Sequence, residues 1–75
     1  MVIAYVMVKA NTGEADRLKA DIVDIGGVTD AHIVAGDVDF IVRVEVEGPP
    51  NVKEIASAIQ AIDGIEDTQT YIAMG

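Results

Sequence analysis

Hydrophobic and polar positions alternate most clearly between Phe40 and Glu47. Phe40, Val42, Val44 and Val46 fall on one side, with Ile41, Arg43, Glu45 and Glu47 on the other. A period of two with one dry face predicts a strand. Just upstream, Val28 to Ala35 is a second strand-forming run, and the acidic Gly36-Asp37-Val38-Asp39 lies between the two. Glycine gives the reversal permissive backbone and the carboxylates suit solvent, so this stretch predicts a hairpin turn. Val2 to Lys9 is different, being apolar at consecutive positions. Two dry faces predict a central strand covered on both sides. The chain has helices for only one cover, so the other falls to a partner subunit.

Two segments change to helical spacing. After Asn11-Thr12-Gly13-Glu14, the residues Ala15, Leu18, Ile22 and Ile25 form one stripe, with Asp16, Arg17, Asp21 and Asp24 mostly opposite. Asn11 and Glu14 have the spacing of a capping box, and Gly26-Gly27 ends the helix. Gly48-Pro49-Pro50 breaks the sheet, and Asn51 and Glu54 repeat the cap spacing. Val52, Ile55, Ala56, Ile59 and Ile62 then make a second stripe, which Asp63-Gly64 closes. The last strand falls within Ile65 to Met74, with Thr68, Thr70 and Ile72 on one face and Gln69, Tyr71 and Ala73 on the other.

The chain echoes itself. Ile25-Gly26-Gly27-Val28-Thr29-Asp30 matches Ile62-Asp63-Gly64-Ile65-Glu66-Asp67 at an offset of 37. Each half reads strand-helix-strand, so residues 1–75 read βαββαβ as a single α+β domain. Right-handed crossovers place both helices on one face of a four-stranded antiparallel sheet, the ferredoxin-like arrangement.

Composition sharpens the picture in two ways. At 75 residues without cysteine the chain has no disulfide to support a small core, and 51% hydrophobic residues exceed what that core can hide. Oligomerisation is the common remedy. The net charge is -8, from 13 acidic and 5 basic residues, which opposes direct binding to nucleic acid. The acidic surplus reads as a solvated surface, or as adaptation to high salt. The chain has no 18-residue apolar run and no basic start of a signal peptide. A cytoplasmic protein without membrane contact is therefore expected.

Little here suggests catalysis. His32 is the single histidine, with no second ligand type at a metal-binding spacing, and it reads as structural. There is no catalytic triad pattern, cysteine nucleophile or glycine-rich phosphate loop. Asp37 and Asp39 serve the turn by default, and an amine-binding role is the alternative. Thr68 and Thr70 fit a strand by propensity, and their hydroxyls also suit a small polar ligand. No metal, cofactor or catalytic residue is expected.

Taken together, these residues resemble a known family. Gly36-Asp37-Val38-Asp39-Phe40 resembles its Gly-acid-aromatic-Asp turn, with Val38 at the usual aromatic position. Gly64-Ile65 followed by Thr68-Gln69-Thr70 resembles its Gly-Val to Thr-x-Thr entry into the last strand. With the βαββαβ order and Ala4-Tyr5-Val6-Met7-Val8 at the start, the chain is similar to the ligand-binding (RAM) domain of Lrp/AsnC transcription regulators. The resemblance spans the chain and lacks the family's DNA-binding helix-turn-helix, which implies a stand-alone sensor domain. It implies a dimeric α+β barrel, with sheet packed on sheet, and dimers joined into an octamer or decamer with ligand sites between them. The ligand would be an amino acid or similar small molecule. Gly36, Asp37, Val38 and Asp39 would line its site, with Thr68 and Thr70 adding hydroxyls. Any effect on transcription would pass through a partner such as a full-length Lrp/AsnC-type regulator. The alternatives are an ACT-like amino-acid-binding module, a small enzyme on a dimeric α+β barrel with His32 as its catalytic candidate, or a purely structural assembly protein.

Overall fold

The computed structural model describes residues 1–75, the side chain of Thr12 excepted. In chain order it contains β1 (Val2–Ala10), a 3-10 turn (Thr12–Glu14), α1 (Ala15–Val23), β2 (Val28–Ile33), β3 (Phe40–Val46), α2 (Pro49–Gln60) and β4 (Ile65–Ile72). The strands form one antiparallel sheet in the order β2-β3-β1-β4, which puts the doubly apolar β1 in the interior. This is the ferredoxin-like α+β fold that the alternation and the repeat predict.

One face of the sheet is dry within the chain. Ala4, Val6, Val8 and Ala10 of β1, Phe40, Val42 and Val44 of β3, and Ala31 of β2 are buried against Leu18 and Ile22 of α1 and Val52, Ile55 and Ile59 of α2. Both helices therefore cover the same face. Each large aliphatic side chain fully buried there contributes about 1.5–3 kcal/mol.

The repeat is visible in atomic detail. The amide of Ile25 donates to the Ile22 carbonyl and that of Val28 to Ile25, and Ile62 to Ile59 and Ile65 to Ile62 do the same in the second half. Gly27 (φ +99) and Gly64 (φ +107) occupy the left-handed region where each helix gives way to a strand. Each turn packs on the other half's helix. A Cβ at Gly27 would stand 2.5 Å from Ile55 Cδ1 of α2, and one at Gly64 would stand 3.2 Å from Leu18 Cδ2 of α1.

Helix starts differ from the expectation. Asn11 does cap, its Oδ1 accepting from the Gly13 amide at 3.1 Å, but it caps the 3-10 turn. The capping box does not form. Glu14 binds Arg17, and the Asn11 amide donates to the Gly64 carbonyl at 2.9 Å. Asn51 is no cap either. The second helix starts three residues earlier, with Pro49 and Pro50 in its first turn after Gly48. The missing proline N–H costs nothing there, because first-turn amides lack intrahelical acceptors in any case.

The other sheet face has no cover from the chain itself. Register places Tyr71, Tyr5, Arg43 and Asp30 in one row across it, and Gln69, Met7, Ile41 and His32 in the next. Tyr5 is 37% and Tyr71 50% exposed. Arg43 ties this face together, donating to Glu45 Oε2 at 3.3 Å and to the Thr29 hydroxyl at 3.1 Å.

Candidate functional site

The hairpin turn is anchored at both ends. The Val34 amide donates to the Asp39 carbonyl at 2.9 Å, and the Asp39 amide donates to the Val8 carbonyl at 2.8 Å. The Asp39 carboxylate then accepts from the Ala10 amide at 2.8 Å. Asp39 thus extends the β1–β3 ladder past Phe40, taking the role of structural anchor. It does so near the Lys9/Ala10 irregularity of β1, where the regular pairing with β4 shifts. Asp37 and Gly36 remain exposed, and a Cβ at Gly36 would meet nothing within 4 Å.

Thr68 stands on the same sheet row. Phe40 pairs with Val8, and Val8 pairs with Thr68. Two strand spacings separate the rows' ends, about 9–10 Å. The turn and Thr68 therefore share one end of the sheet but make no hydrogen bond to each other among the described residues. Thr70, next along the same face, lies opposite Val6 and is exposed. His32 lies exposed on the uncovered face, away from both.

The Thr68 side chain turns toward α2. Its hydroxyl donates to Gln60 Oε1 at 3.1 Å, and the Gln60 amide reaches the Glu66 carbonyl at 3.5 Å. A shallow cleft of about 380 Å³ runs beside this pair, lined by Lys53, Ala56, Ser57, Gln60, Ala61 and Thr68. It offers an ammonium, an amide and two hydroxyls, a set that suits a carboxylate or another polar group. Lys53, Ser57 and Gln60 escape a reading of the sequence that follows only the apolar stripe. Their spacing of four and three along the polar face of α2 is the signal that finds them.

A larger cleft of about 410 Å³ lies at the opposite end of β1, lined by Met1, Gly26, Gly27, Glu45, Val46, Glu47, Asn51, Glu54 and Ile55. None of the six residues singled out from the sequence lines it. Among the described residues no group of three histidine, cysteine, aspartate or glutamate side chains is placed to hold a metal ion. No helix among them is long and apolar enough to cross a membrane.

Known proteins resemble this chain in sequence and in fold. The chain is 19% identical over 73 residues to the HTH-type transcriptional regulator FL11 of Pyrococcus furiosus, a match covering 97% of this chain and 48% of that protein. It therefore spans about half the length of that relative. The structure of TTHA0845 from Thermus thermophilus superposes with a TM-score of 0.93 at 21% identity, covering 100% of this chain and 95% of that one. A feast or famine regulatory protein of M. tuberculosis, Rv3291c, solved in complex with L-methionine, superposes with a TM-score of 0.83 at 18% identity, covering 100% of this chain and 51% of that one. The sequence model of the Lrp/AsnC ligand binding domain matches residues 3–75, and the chain belongs to that family.

Proposed function

We propose that residues 1–75 form one sensing domain that binds an amino acid and modulates transcription through partner proteins, without catalysis and without binding DNA itself. Family membership carries this reading, together with one geometric observation. The acidic turn leads into Phe40, which shares a sheet row with Val8 and Thr68, so the turn and the Thr68–Gln60 pair lie at the same end of β1. The methionine bound by the M. tuberculosis relative supports an amino-acid ligand. Because the turn and Thr68 lie on opposite flanks of β1, the site is completed between copies. Gly36, Asp37, Val38 and Asp39 of one copy approach Thr68 and Thr70 of another.

In this arrangement turn amides receive the ligand carboxylate. Asp37 is the free counter-charge for its ammonium, since Asp39 already holds the Ala10 amide. The uncovered sheet face, with Tyr5, Met7, Ile41 and Tyr71, supports dimerisation by sheet-on-sheet packing, and the dimers assemble further to an octamer or decamer. The charge of -8 supports the absence of direct DNA contact. A full-length regulator of the same family is the DNA-binding partner, and the cytoplasm is the expected compartment.

A calorimetric screen against the twenty amino acids tests the proposal. Ligand at 100 times its dissociation constant adds about 2.7 kcal/mol of stability, which a thermal shift also detects. Asp37→Asn and Thr70→Val are each expected to weaken binding by about 10-fold or more. No binding of any amino acid, or unchanged affinity in both variants, would overturn the site.

A further inference from the structure

The internal repeat provides a template for reading the larger cleft, at the end of β1 away from the proposed amino-acid site. In the second half's turn, the niche formed by Asp63, Gly64, Glu14 and Leu18 is filled by Arg17. Its Nη2 donates to the Asp63 carbonyl at 2.9 Å and to Glu14 Oε2 at 2.8 Å, while Nη1 reaches Asp21 Oδ2 at 3.1 Å. Nη2 stands only 3.4 Å from where a Cβ of Gly64 would be, so the guanidinium lies close against the glycine. Shifting these positions by 37 gives Gly26 for Asp63, Gly27 for Gly64, Asn51 for Glu14, Ile55 for Leu18 and Glu54 for Arg17. All five line the 410 Å³ cleft.

The two niches differ at the position that matters. Glu54 replaces the arginine, so the second niche has the turn glycines and the helix wall but no guanidinium of its own. Among the described residues, the Gly26 carbonyl takes no hydrogen bond comparable to that of Asp63. Three glutamates line the same cleft; Glu45 is paired with Arg43, while Glu47 and Glu54 form no ion pair among the described residues. Val46 and Ile55 provide an apolar wall on which an alkyl stem can lie. A planar donor fork matches a carbonyl beside a carboxylate, as Arg17 demonstrates in the other half.

We infer that this cleft binds a guanidinium group supplied from outside the chain, held by the Gly26 carbonyl, the counterpart of the Asp63 carbonyl that Arg17 binds, and by the Glu54 carboxylate, which stands at the position of Arg17 itself. The surrounding carboxylates repel a ligand that carries one of its own. The preferred form is therefore an alkylguanidine or the side chain of an arginine within a peptide, in preference to free arginine.

Amide chemical-shift titration of the folded protein at low salt tests this with four probes: agmatine, N-acetyl-arginine amide, L-arginine and putrescine. Agmatine and N-acetyl-arginine amide are expected to shift Gly26, Gly27, Asn51 and Glu54, with L-arginine weaker. The stronger of the first two indicates whether a small alkylguanidine or a peptide side chain is the natural source. Glu54→Gln is expected to lower affinity by about 10-fold or more. Glu54→Arg, which installs the counterpart of Arg17, is expected to abolish binding while keeping or raising the thermal midpoint. Thr70→Val should leave agmatine binding unchanged, separating this cleft from the amino-acid site. Putrescine binding as tightly as agmatine, shifts confined to other residues, or binding that survives Glu54→Arg would overturn the inference. Should Glu54→Arg fail to fold, unchanged affinity in Glu54→Gln does so instead.

Discussion

The Asp39 carboxylate accepts a hydrogen bond from the Ala10 amide at 2.8 Å, joining the end of the hairpin to the end of β1 across 29 residues of sequence. The bond satisfies a partly buried backbone donor beyond the last regular β1–β3 pair, Val8 with Phe40. Asp39→Ala is expected to destabilise the protein without any ligand by about 1–3 kcal/mol, read from urea unfolding. Asp37→Ala, at an exposed position, should change stability by less than about 0.5 kcal/mol.

Gly27 and Gly64 share a left-handed backbone but differ in room. An added Cβ meets Ile55 at 2.5 Å in the first case and Leu18 at 3.2 Å in the second. Both alanine variants should lose at least about 1 kcal/mol to backbone strain. Gly27→Ala should lose more, because its neighbour must shift further. Equal losses in thermal unfolding would show that the backbone alone decides.

The uncovered sheet face bears on assembly. Met7 lies on interior strand β1, between Gln69 and Ile41. A carboxylate there would be desolvated by any second sheet packed against it. Met7→Asp is therefore expected to shift the protein to monomers in multi-angle light scattering while keeping its far-ultraviolet circular dichroism. An unchanged oligomer would place the dimer contact elsewhere.

The charge of -8 implies a response to salt. Cations screen repulsion among the 13 acidic side chains, and the thermal midpoint should rise between about 0.1 M and about 2 M KCl. Arg17 opposes part of that gain. Its pKa is held above the ordinary value mainly by the hydrogen bond to Glu14, with burial acting the other way, and screening weakens its ion pairs with Glu14 and Asp21. A flat midpoint would remove the motive for reading the acidity as adaptation to high salt.

Periodic features were legible from the chain alone. The alternation of β3, the two apolar faces of β1, the helical stripes ending in glycine and the repeat at 37 are each set by a residue and neighbours within one or two turns of chain. They suffice for the βαββαβ order, and, with the handedness rule, for both helices on one face. Register is constrained as well, because a slip of one residue would turn Val42 and Val44 away from the helices, whereas the strand order β2-β3-β1-β4 comes from the structure. Features that depend on distant partners had to await the tertiary structure. The Asn11 amide is drawn to the Gly64 carbonyl, 53 residues away, which leaves Glu14 to its local partner Arg17, so a capping box present in the sequence does not form. Asp39 became an anchor because folding brings Ala10 beside it, and Thr68 turns to Gln60 because α2 lies over β4. The contrast between a niche filled by Arg17 and one lined by Glu54 was also decided there. Local spacing marks the equivalent positions, but only the packing of each turn on the opposite helix brings them around a common cleft.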